Sequence, residues 1–352
     1  MSERRAARAA AAAAAENQQA ERRRDPREKR PLLVALAAAL TALVASATVI
    51  AVVVAVFVGG LARSFDSGTD VIADAFPAGD RPAASGSAEN ILLVGSDSRA
   101  GSDLVDDHTA GGRSDTLVLA HVPADRRHVY LVSILRDSWV EVPGHGTAKI
   151  NAAYAWGGIP LTVQTVERLL DVRIDHVAEI DLAGFADMTD ALGGVTVQST
   201  EDFTSRGHHF SRGPNHLDGE QALAFVRERY SFADADHTRV RNQQAFLRGV
   251  FEQALSRGTL TDPGRLQEFV AATSRHLAVD PGLDAAAIAR LGWSLRDLRP
   301  DDLVTATMPT AGGGTSPDGQ SVVLLDERDR QSLSQALRSD DLQHWVEARP
   351  RP

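Results

Sequence analysis

Apolar and polar positions alternate in short blocks from about residue 90 to the end of the chain. Runs rich in leucine and β-branched residues, bounded by glycine, proline or charged residues, predict buried strands. The three clearest are Asn90–Gly95, Thr116–Val122 and His128–Leu135, and further strands are expected at Asp175–Ile180, Val195–Gln198, Leu303–Met308 and Ser321–Leu325.

Apolar residues between these runs recur at the three- and four-residue spacing of an amphipathic helix. The helices predicted in this way are Pro160–Leu170, Leu182–Leu192, Val240–Leu255 and Glu327–Leu337. Gly193 and Gly194 are expected to end the second of them. Strands that alternate with helices predict an α/β fold, here a three-layer α/β/α domain with a mixed central sheet.

One apolar segment is too long for any of these elements. From Leu32 to Val58 the chain runs 27 residues without a charge. As a helix it covers ~40 Å, which is enough to cross the ~30 Å hydrocarbon core of a bilayer. A secretory signal has a shorter apolar region, so the pattern favours an uncleaved membrane anchor.

The charges on the two sides of this segment differ in sign. Residues 1–30 hold nine Lys/Arg and five Asp/Glu, a net charge of +4, whereas the rest of the chain holds 28 and 42, a net charge of −14. Positively charged flanks stay in the cytoplasm. We therefore expect a cytoplasmic tail (1–30), a transmembrane anchor (31–61), a flexible extracytoplasmic linker (62–89) and a folded extracellular domain (90–345).

Composition excludes several kinds of site. The chain has no cysteine, so disulfides, thiolate metal sites and cysteine nucleophiles are excluded. An acidic body argues against a nucleic-acid partner, because such binding depends on neutralising phosphates. Positive charge is carried almost entirely by arginine, since Lys29 and Lys149 are the only lysines.

Arginines are concentrated in residues 224–244, AFVRERYSFADADHTRVRNQQ. A strand over Ala222–Arg229 would direct Arg227 and Arg229 to one face and Glu228 to the other. Guanidinium groups match the oxygens of a pyrophosphate. Surface ion pairs with Glu228, Asp234 and Asp236 are the structural alternative.

A helix is expected to follow in the same segment. Asp236 opens it, and Arg239 and Gln243 lie four residues apart on one side. Arg241 falls on a different side. The pattern therefore adds one more guanidinium, from Arg239, to the two of the predicted strand.

Two aspartates stand at strand boundaries. Asp97 follows the first strand and Asp115 precedes the second, and strand ends of an open α/β sheet line a crevice. Two carboxylates without histidine or cysteine partners suit Mg²⁺. The alternative is that Asp97 closes an Asx-turn and Asp115 caps a loop.

The remaining polar candidates are ambiguous from sequence. Asp137 either forms a local ion pair with Arg136 or orients it toward a ligand. Lys149 is expected to open a helix, where it opposes the helix dipole or is a solvated surface residue. The histidines have no zinc-type spacing, and those at positions 208, 209 and 216 are assigned to a surface loop.

The order of these motifs resembles the LytR–CpsA–Psr family. The motifs are ILLVGSDSR, GRSDT, SILRD, AKINAAYAWGG, IDLAGF with DALGGVTV, LDGEQALAFVRER and DxxRxRNQQ, and the resemblance covers about residues 90–255. It departs from the family at Leu135, where proline often precedes the arginine, and at Asn242, where many relatives have arginine. Val105–Gly112 looks like an insertion.

The resemblance implies a magnesium-dependent phosphotransferase. Such an enzyme moves a glycopolymer, for example a teichoic acid, from a membrane polyprenyl-pyrophosphate carrier to peptidoglycan. It implies an apolar cavity for the isoprenoid chain, for which Leu182–Leu192 is a candidate wall. It also implies roles for individual residues: Asp97 and Asp115 at Mg²⁺; Arg136, Arg227, Arg229, Arg239 and Gln243 at the pyrophosphate; Lys149 and Asp236 as supporting polar residues; and Asp97, Arg136, Arg227 and Arg229 in catalysis.

Two other functions fit the same residues. A pyrophosphatase would use water instead of a sugar hydroxyl as the nucleophile. A membrane-tethered regulator would bind the lipid without turning it over. DNA binding through the arginines of residues 239–248 is disfavoured by the extracellular orientation and the acidic body.

Overall fold

The computed structural model describes residues 2–22, 46, 48–49, 51–84, 86–96, 114–228, 231–232 and 236–349. The chain forms two compact units, residues 1–60 and residues 61–352, and each is described by itself. The predicted insertion Val105–Gly112 lies outside the described residues.

Two helices precede the folded domain. Helix α1 spans Ser2–Arg22. Helix α2 includes Ala51–Gly68, which in the described part of the chain is the one helix long and apolar enough to cross a membrane, and none of it is buried. It overlaps the end of the predicted anchor Leu32–Val58, most of which lies outside the described residues. The helix fits a single-pass anchor.

The domain contains fifteen short strands in its described part: β1 Asp70–Val71, β2 Glu89–Ser96, β3 Ser114–Val122, β4 Val129–Ile134, β5 Trp139–Val142, β6 Gly146–Lys149, β7 His176–Asp181, β8 Val195–Ser199, β9 Phe203–Ser205, β10 His208–Phe210, β11 Gly213–Leu217, β12 Leu277–Val279, β13 Leu303–Thr307, β14 Thr310–Thr315 and β15 Ser321–Leu325. Its helices are α3 Asn151–Leu170, α4 Leu182–Ala191, α5 Gly219–Arg227, α6 Asp236–Ala254, α7 Arg257–Leu260, α8 Pro263–Ser274, α9 Ala285–Ser294, α10 Glu327–Arg338 and α11 Leu342–Glu347.

Seven strands form the central sheet in the order β1-β12-β7-β2-β3-β4-β13. β2 runs parallel to β7 and antiparallel to β3, β3 is antiparallel to β4, and β4 is parallel to β13. The sheet is therefore mixed, as predicted. The apolar runs predicted the seven strands β2, β3, β4, β7, β8, β13 and β15, and each is confirmed to within two residues at each end.

Alternate residues of the central strands pack against opposite helical layers, as the two-residue period of a strand requires. Leu92 and Val94 of β2 belong to a cluster shared with α3 and α10. Ile91 of β2 and Val118 of β3 belong to a cluster that packs against Leu247 of α6 and against α9. Helices thus cover both faces, and the three-layer α/β/α prediction is confirmed.

Helix α3 begins nine residues before the predicted start at Pro160. Gly157 and Gly158 break it, with Gly158 in the left-handed region at φ 60°, so the predicted helix corresponds to the second part. Lys149 does not open this helix, because it is the last residue of β6. The dipole argument for that lysine is therefore wrong.

The stretch predicted as a flexible stalk packs against the domain in its second half. Arg81 forms an ion pair with buried Glu167 at 2.7 Å and lies over the ring of Phe76. Ala75 is buried in the main core, and β1 is an edge strand of the central sheet. The sequence signal was misleading because a Gly/Pro/Ser-rich segment can be irregular and still be ordered by side-chain contacts.

Candidate functional site

Several positions named from the sequence meet at one edge of the central sheet. β2, β4 and β13 run in the same direction and end there at Ser96, Ile134 and Thr307. The antiparallel strand β3 begins at the same edge, with Ser114. We call this the strand-end edge. Three parts of the chain lie at this edge: the end of β2, directly before Asp97; the beginning of β3; and the segment after β4.

Asp115 occupies a β-bulge at this edge. Gly95 pairs with Thr116 and Ser96 pairs with Ser114, so Asp115 is the extra residue between the two pairs. Bulges are frequent beside active sites, because they redirect side chains. Asp97 and the side chain of Asp115 lie outside the described residues, so the geometry of this carboxylate pair stays a prediction.

A carboxylate lies between two cations directly after β4. Oδ1 of Asp137 is 3.1 Å from Nζ of Lys149, and Oδ2 is 3.6 Å from Nε of Arg136. The β5–β6 hairpin places the lysine there, because it pairs Lys149 with Trp139. The three side chains are 17% to 22% exposed. The two interpretations of Asp137 are therefore compatible, because its local ion pair with Arg136 also fixes the positions of the Arg136 and Lys149 side chains.

This arrangement suits an anion. A guanidinium and an ammonium, both positively charged hydrogen-bond donors, lie beside one carboxylate here, and such groups bind phosphate oxygens. The backbone N–H of Asn151 donates to the carbonyl of Arg136 over 3.2 Å, which ties the start of α3 to the same turn. Arg136 and Lys149 are thus positioned by the backbone as well as by Asp137.

Helix α6 reaches the strand-end edge with its first half. Nε2 of Gln244 lies 2.9 to 3.1 Å from acceptors at the ends of β4 and β13, namely Ser133 Oγ, Ala306 O and Thr307 Oγ1. Farther along, Leu247 and Phe251 pack over the middle of the sheet. The turns before Gln244 therefore stand at the edge itself, and they carry Arg239, which is 6% exposed, and half-buried Gln243.

The predicted strand Ala222–Arg229 is wrong, because α5 ends at Arg227. Asp218 and Gln221 form a capping box at its start, in which each side chain accepts from the other's backbone N–H. Ala222, Phe225 and Val226 form the buried side of this helix. The sequence argument that aligned Arg227 with Arg229 on a strand face therefore fails, and Arg229 lies outside the described residues.

The end of α5, which carries Arg227, is joined to α6. Nδ2 of Asn242 donates to the carbonyl of Phe225 over 3.3 Å, which joins the end of α5 to the first turns of α6. Asn242 is thereby a structural residue of the site, buried at 2% exposure. The prediction that Asp236 opens α6 is confirmed, although its side chain lies outside the described part.

Arg241 faces away from this group, as predicted. It donates to Oγ1 of Thr238 and lies 3.8 Å from a carboxylate oxygen of Glu201. Arg241 thus makes a surface contact with Glu201, which is not one of the acidic partners Glu228, Asp234 and Asp236 of the structural alternative.

Sequence reasoning missed a buried glutamate beside the site. Oε1 of Glu179, on β7, accepts from Ser96 Oγ over 2.7 Å and from the Tyr154 hydroxyl over 2.6 Å. Glu179 is 5% exposed. It joins the end of β2, directly before Asp97, to the first turns of α3. An acidic residue in the interior of a predicted strand was the available signal.

Other expectations about the site are corrected or left open. His208 and His216 belong to strands β10 and β11, not to a surface loop. In the described part of the chain, no three His, Cys, Asp or Glu side chains form a metal-binding group. A cavity of about 580 Å³ beside α4 is lined by Asp187, Asp190 and other polar groups, so it is not the apolar cavity expected near Leu182–Leu192.

Comparison with known proteins agrees with this architecture. The LytR_cpsA_psr family model matches residues 67–339. The polyisoprenyl-teichoic acid–peptidoglycan teichoic acid transferase TagU of Bacillus cereus (strain AH820) is 42% identical over 176 residues, which are 50% of this chain and 55% of the relative. The chain thus spans about half the length of that relative.

Two further relatives cover more of the chain. The TagU of Enterococcus faecalis (strain ATCC 700802 / V583) is 32% identical over 253 residues, 71% of this chain and 78% of the relative. The solved structure described as TagT bound to LI-WTA has a TM-score of 0.58 and 26% identity, and the match covers 75% of this chain and 98% of TagT. With the family model matching most of its length, the chain belongs to the LytR_cpsA_psr family.

Proposed function

We propose that this protein is a membrane-anchored, extracytoplasmic phosphotransferase that moves a glycopolymer from a polyprenyl-pyrophosphate carrier to peptidoglycan. The observation that carries the proposal is the Asp137 carboxylate between Arg136 and Lys149, at the sheet edge that the Arg239 end of α6 also reaches. A pyrophosphate needs several cations held close together. The names of the TagU relatives support the same substrate class.

The chain's own residues would act on the pyrophosphate chiefly by electrostatics. Arg136, Arg227, Arg239 and Gln243 bind its oxygens, and Lys149 and Asp236 support them. Phosphoryl transfer depends mainly on positioning and on stabilising charge at the phosphate oxygens. The arginines would also neutralise the polyprenyl phosphate as it leaves.

The bond changes are those of a phosphodiester exchange. A peptidoglycan hydroxyl attacks the glycan-linked phosphorus, and the bridging P–O bond breaks. Polyprenyl phosphate leaves with the electron pair. A carboxylate takes the hydroxyl proton, and Asp97 is our candidate for this base. Arg229 completes the catalytic set proposed from the sequence.

Mg²⁺ belongs to the proposal as a cofactor held by Asp97 and Asp115. The bulge at Asp115, opposite the chain that leads to Asp97, fits a site of hard oxygen ligands. When bound, the ion would neutralise charge on the pyrophosphate. Because it needs phosphate oxygens to complete its shell, Mg²⁺ affinity should rise when a lipid pyrophosphate binds, and by linkage Mg²⁺ should tighten the lipid by the same factor.

Calorimetric titration of farnesyl pyrophosphate with and without Mg²⁺ tests this coupling. We expect tighter binding with Mg²⁺ and loss of the difference in Asp115→Asn. Equal affinities, together with transfer that is insensitive to chelator, would mean that the arginines act without a metal.

The transferase itself is tested by the lipid it carries and the product it makes. Mass spectrometry of the co-purified lipid should find a polyprenyl-pyrophosphate glycan. Incubation with peptidoglycan should give a phosphodiester-linked polymer. Free phosphorylated glycan without transfer would indicate a pyrophosphatase, and tight binding without turnover would indicate a regulator.

The orientation of the chain is a separate proposal, based on the charge difference across the anchor. A reporter fused after Pro352 should be active only outside the membrane. Activity in the cytoplasm would contradict both the orientation and the assignment of a peptidoglycan acceptor.

A further inference from the structure

Helix α9 presents apolar side chains to solvent. Trp293 is 71% exposed, the highest value among the large hydrophobic residues of the described domain, and Ile288 on the same helix is 36% exposed. Ala286, Ala289 and Arg290 are also exposed. Ile288 is on a different side of the helix from Trp293, whose neighbours on the exposed side are Ala286, Ala289 and Arg290. An exposed apolar patch marks an interaction surface more often than a single exposed residue does.

These residues are not needed to hold the helix in place. The inner side of the helix packs on the domain through other residues. Ala287 is buried beside Leu283, and Leu291 packs against the apolar cluster under α6. Asp284 caps the N-terminus by accepting from the N–H of Ala287 over 2.7 Å. The helix is therefore fixed on the domain by one side, and its other side is available.

The start of α9 is joined to the end of the anchor helix. Oδ1 of Asp66, on α2, accepts from the backbone N–H of Ala285 over 3.0 Å. Asp66 follows Val58, the last residue of the predicted apolar segment, by eight residues, or ~12 Å along a helix. Trp293 lies eight residues beyond Ala285, again ~12 Å. The hydrogen bond thus joins the start of α9 to residues that follow the apolar segment directly in the chain.

The charge on this helix suits an anionic surface. From Ala285 to Arg296 the chain has no acidic residue and contains Arg290 and Arg296. The guanidinium of Arg296 lies 4.8 Å from the centre of the Trp293 ring. The helix ends at Ser294, so Arg296 and Asp297, which lie 3.5 Å apart, both follow it, and Arg290 is the charged residue of the helix itself. Tryptophan beside arginine is typical of residues that lie at the headgroup level of a bilayer.

We propose that the outer side of α9, which we define as Ala286, Ala289, Arg290 and Trp293 together with Arg296 directly after the helix, lies on the anionic outer surface of the membrane that α2 crosses. The inference rests on the proposed anchor and not on the transfer chemistry. Its consequence is a fixed tilt of the domain, because two contacts with the membrane, the anchor and α9, restrict rotation that a single helix would permit.

The absence of cysteine from the chain permits a direct test. The full chain is placed in vesicles of phosphatidylcholine and phosphatidylglycerol, with bimane attached to Trp293→Cys, Ala289→Cys, or the control Leu324→Cys on β15, which is 41% exposed. Brominated lipids should quench the first two labels at least twofold more than the control. Equal quenching at all three positions would overturn the proposal.

Two further arms identify the occupant of the surface. Replacing phosphatidylglycerol by phosphatidylcholine should reduce quenching at position 293, and Arg290→Ser with Arg296→Ser should remove that dependence on lipid charge. Unchanged quenching in neutral vesicles would contradict the anionic partner. Energy transfer between labelled copies that grows with protein density, without lipid quenching, would assign the surface to a second copy and overturn the proposal. Transfer activity is not the readout, so failure here leaves the proposed function standing.

Discussion

The two edges of the central sheet use similar polar residues in different ways. At the edge opposite the strand-end edge, buried His121 is held between Asn90 Oδ1 at 2.8 Å and Asp340 Oδ1 at 2.9 Å. Glu89 and Arg126 form an ion pair beside it. At the strand-end edge, Arg136 and Lys149 lie on either side of Asp137, and the first half of α6, which carries Arg239, reaches the same edge.

This difference distinguishes polar groups that stabilise the fold from polar groups that bind a ligand. A buried histidine in contact with Asn90 and Asp340 ties together segments that are distant in sequence. Cations brought together by separate elements repel one another, and this is tolerated where an anion binds. Substitutions at the opposite edge should therefore change stability, and substitutions at the strand-end edge should change activity.

The largest effect is expected at Arg239. Arg239→Gln removes a nearly buried guanidinium at the start of α6 and should lower transfer activity ~100-fold, or ~2.7 kcal/mol, as for loss of charge-assisted hydrogen bonds. Arg248→Gln is the matched control on the same helix, because Arg248 pairs with Glu252 and Asp301 at the surface. Similar losses in both variants would contradict the division between the edges.

Substitution of Arg227 is expected to have the next largest effect. Arg227→Lys keeps the charge but loses the planar fork, so farnesyl pyrophosphate binding should weaken ~10-fold, or ~1.4 kcal/mol. Arg241→Lys, whose partners are Thr238 and Glu201, should bind as the parent does. Parent-like affinity of Arg227→Lys in the same titration would favour a surface ion pair for that arginine.

Asp137 should act through its neighbours. Asp137→Asn keeps the shape but loosens both cations, and we expect transfer to slow roughly fivefold, or ~1 kcal/mol, with little change in the unfolding midpoint. The effect should be much smaller in a Lys149→Met background. An undiminished loss there would mean that Asp137 does not work by positioning Lys149.

The smallest effect is a pH dependence of stability at the opposite edge. Burial lowers the pKa of His121 below its ordinary value of 6.5. Because the folded state takes up this proton less readily, His121 contributes stability above that value and loses it as the pH falls below it. His121→Gln should therefore lose less stability between neutral and mildly acidic pH, in chemical unfolding at each pH. Equal slopes would show that His121 does not titrate with unfolding.

The sequence predicted β2, β3 and β4 well, because these apolar runs are rich in leucine and β-branched residues and are bounded by turn residues. The helix α5 was taken for a strand because Ala222–Val226 is a short apolar run, which periodicity cannot assign. The capping pair Asp218 and Gln221 was the signal that could have decided it.

The site was predictable in its residue types and not in its contacts. The strand order brings Asp115 and Arg136 to one edge, which no local pattern reveals. The approach of Lys149 to Asp137 depends on the β5–β6 hairpin, and that of Gln244 to Ser133 depends on the packing of α6. Glu179 was missed because its partners Ser96 and Tyr154 are distant in sequence.

The most direct test of the account is a double-mutant cycle between Arg136 and Arg239. Farnesyl pyrophosphate affinity is measured for Arg136→Gln, Arg239→Gln and the double variant, with farnesyl monophosphate as the comparison ligand. If both arginines bind one pyrophosphate, the loss of binding free energy in the double variant should differ from the sum of the two single losses by at least ~1 kcal/mol. The same difference should be smaller for the monophosphate. Losses that add to within ~0.3 kcal/mol would contradict a shared pyrophosphate site at the strand-end edge.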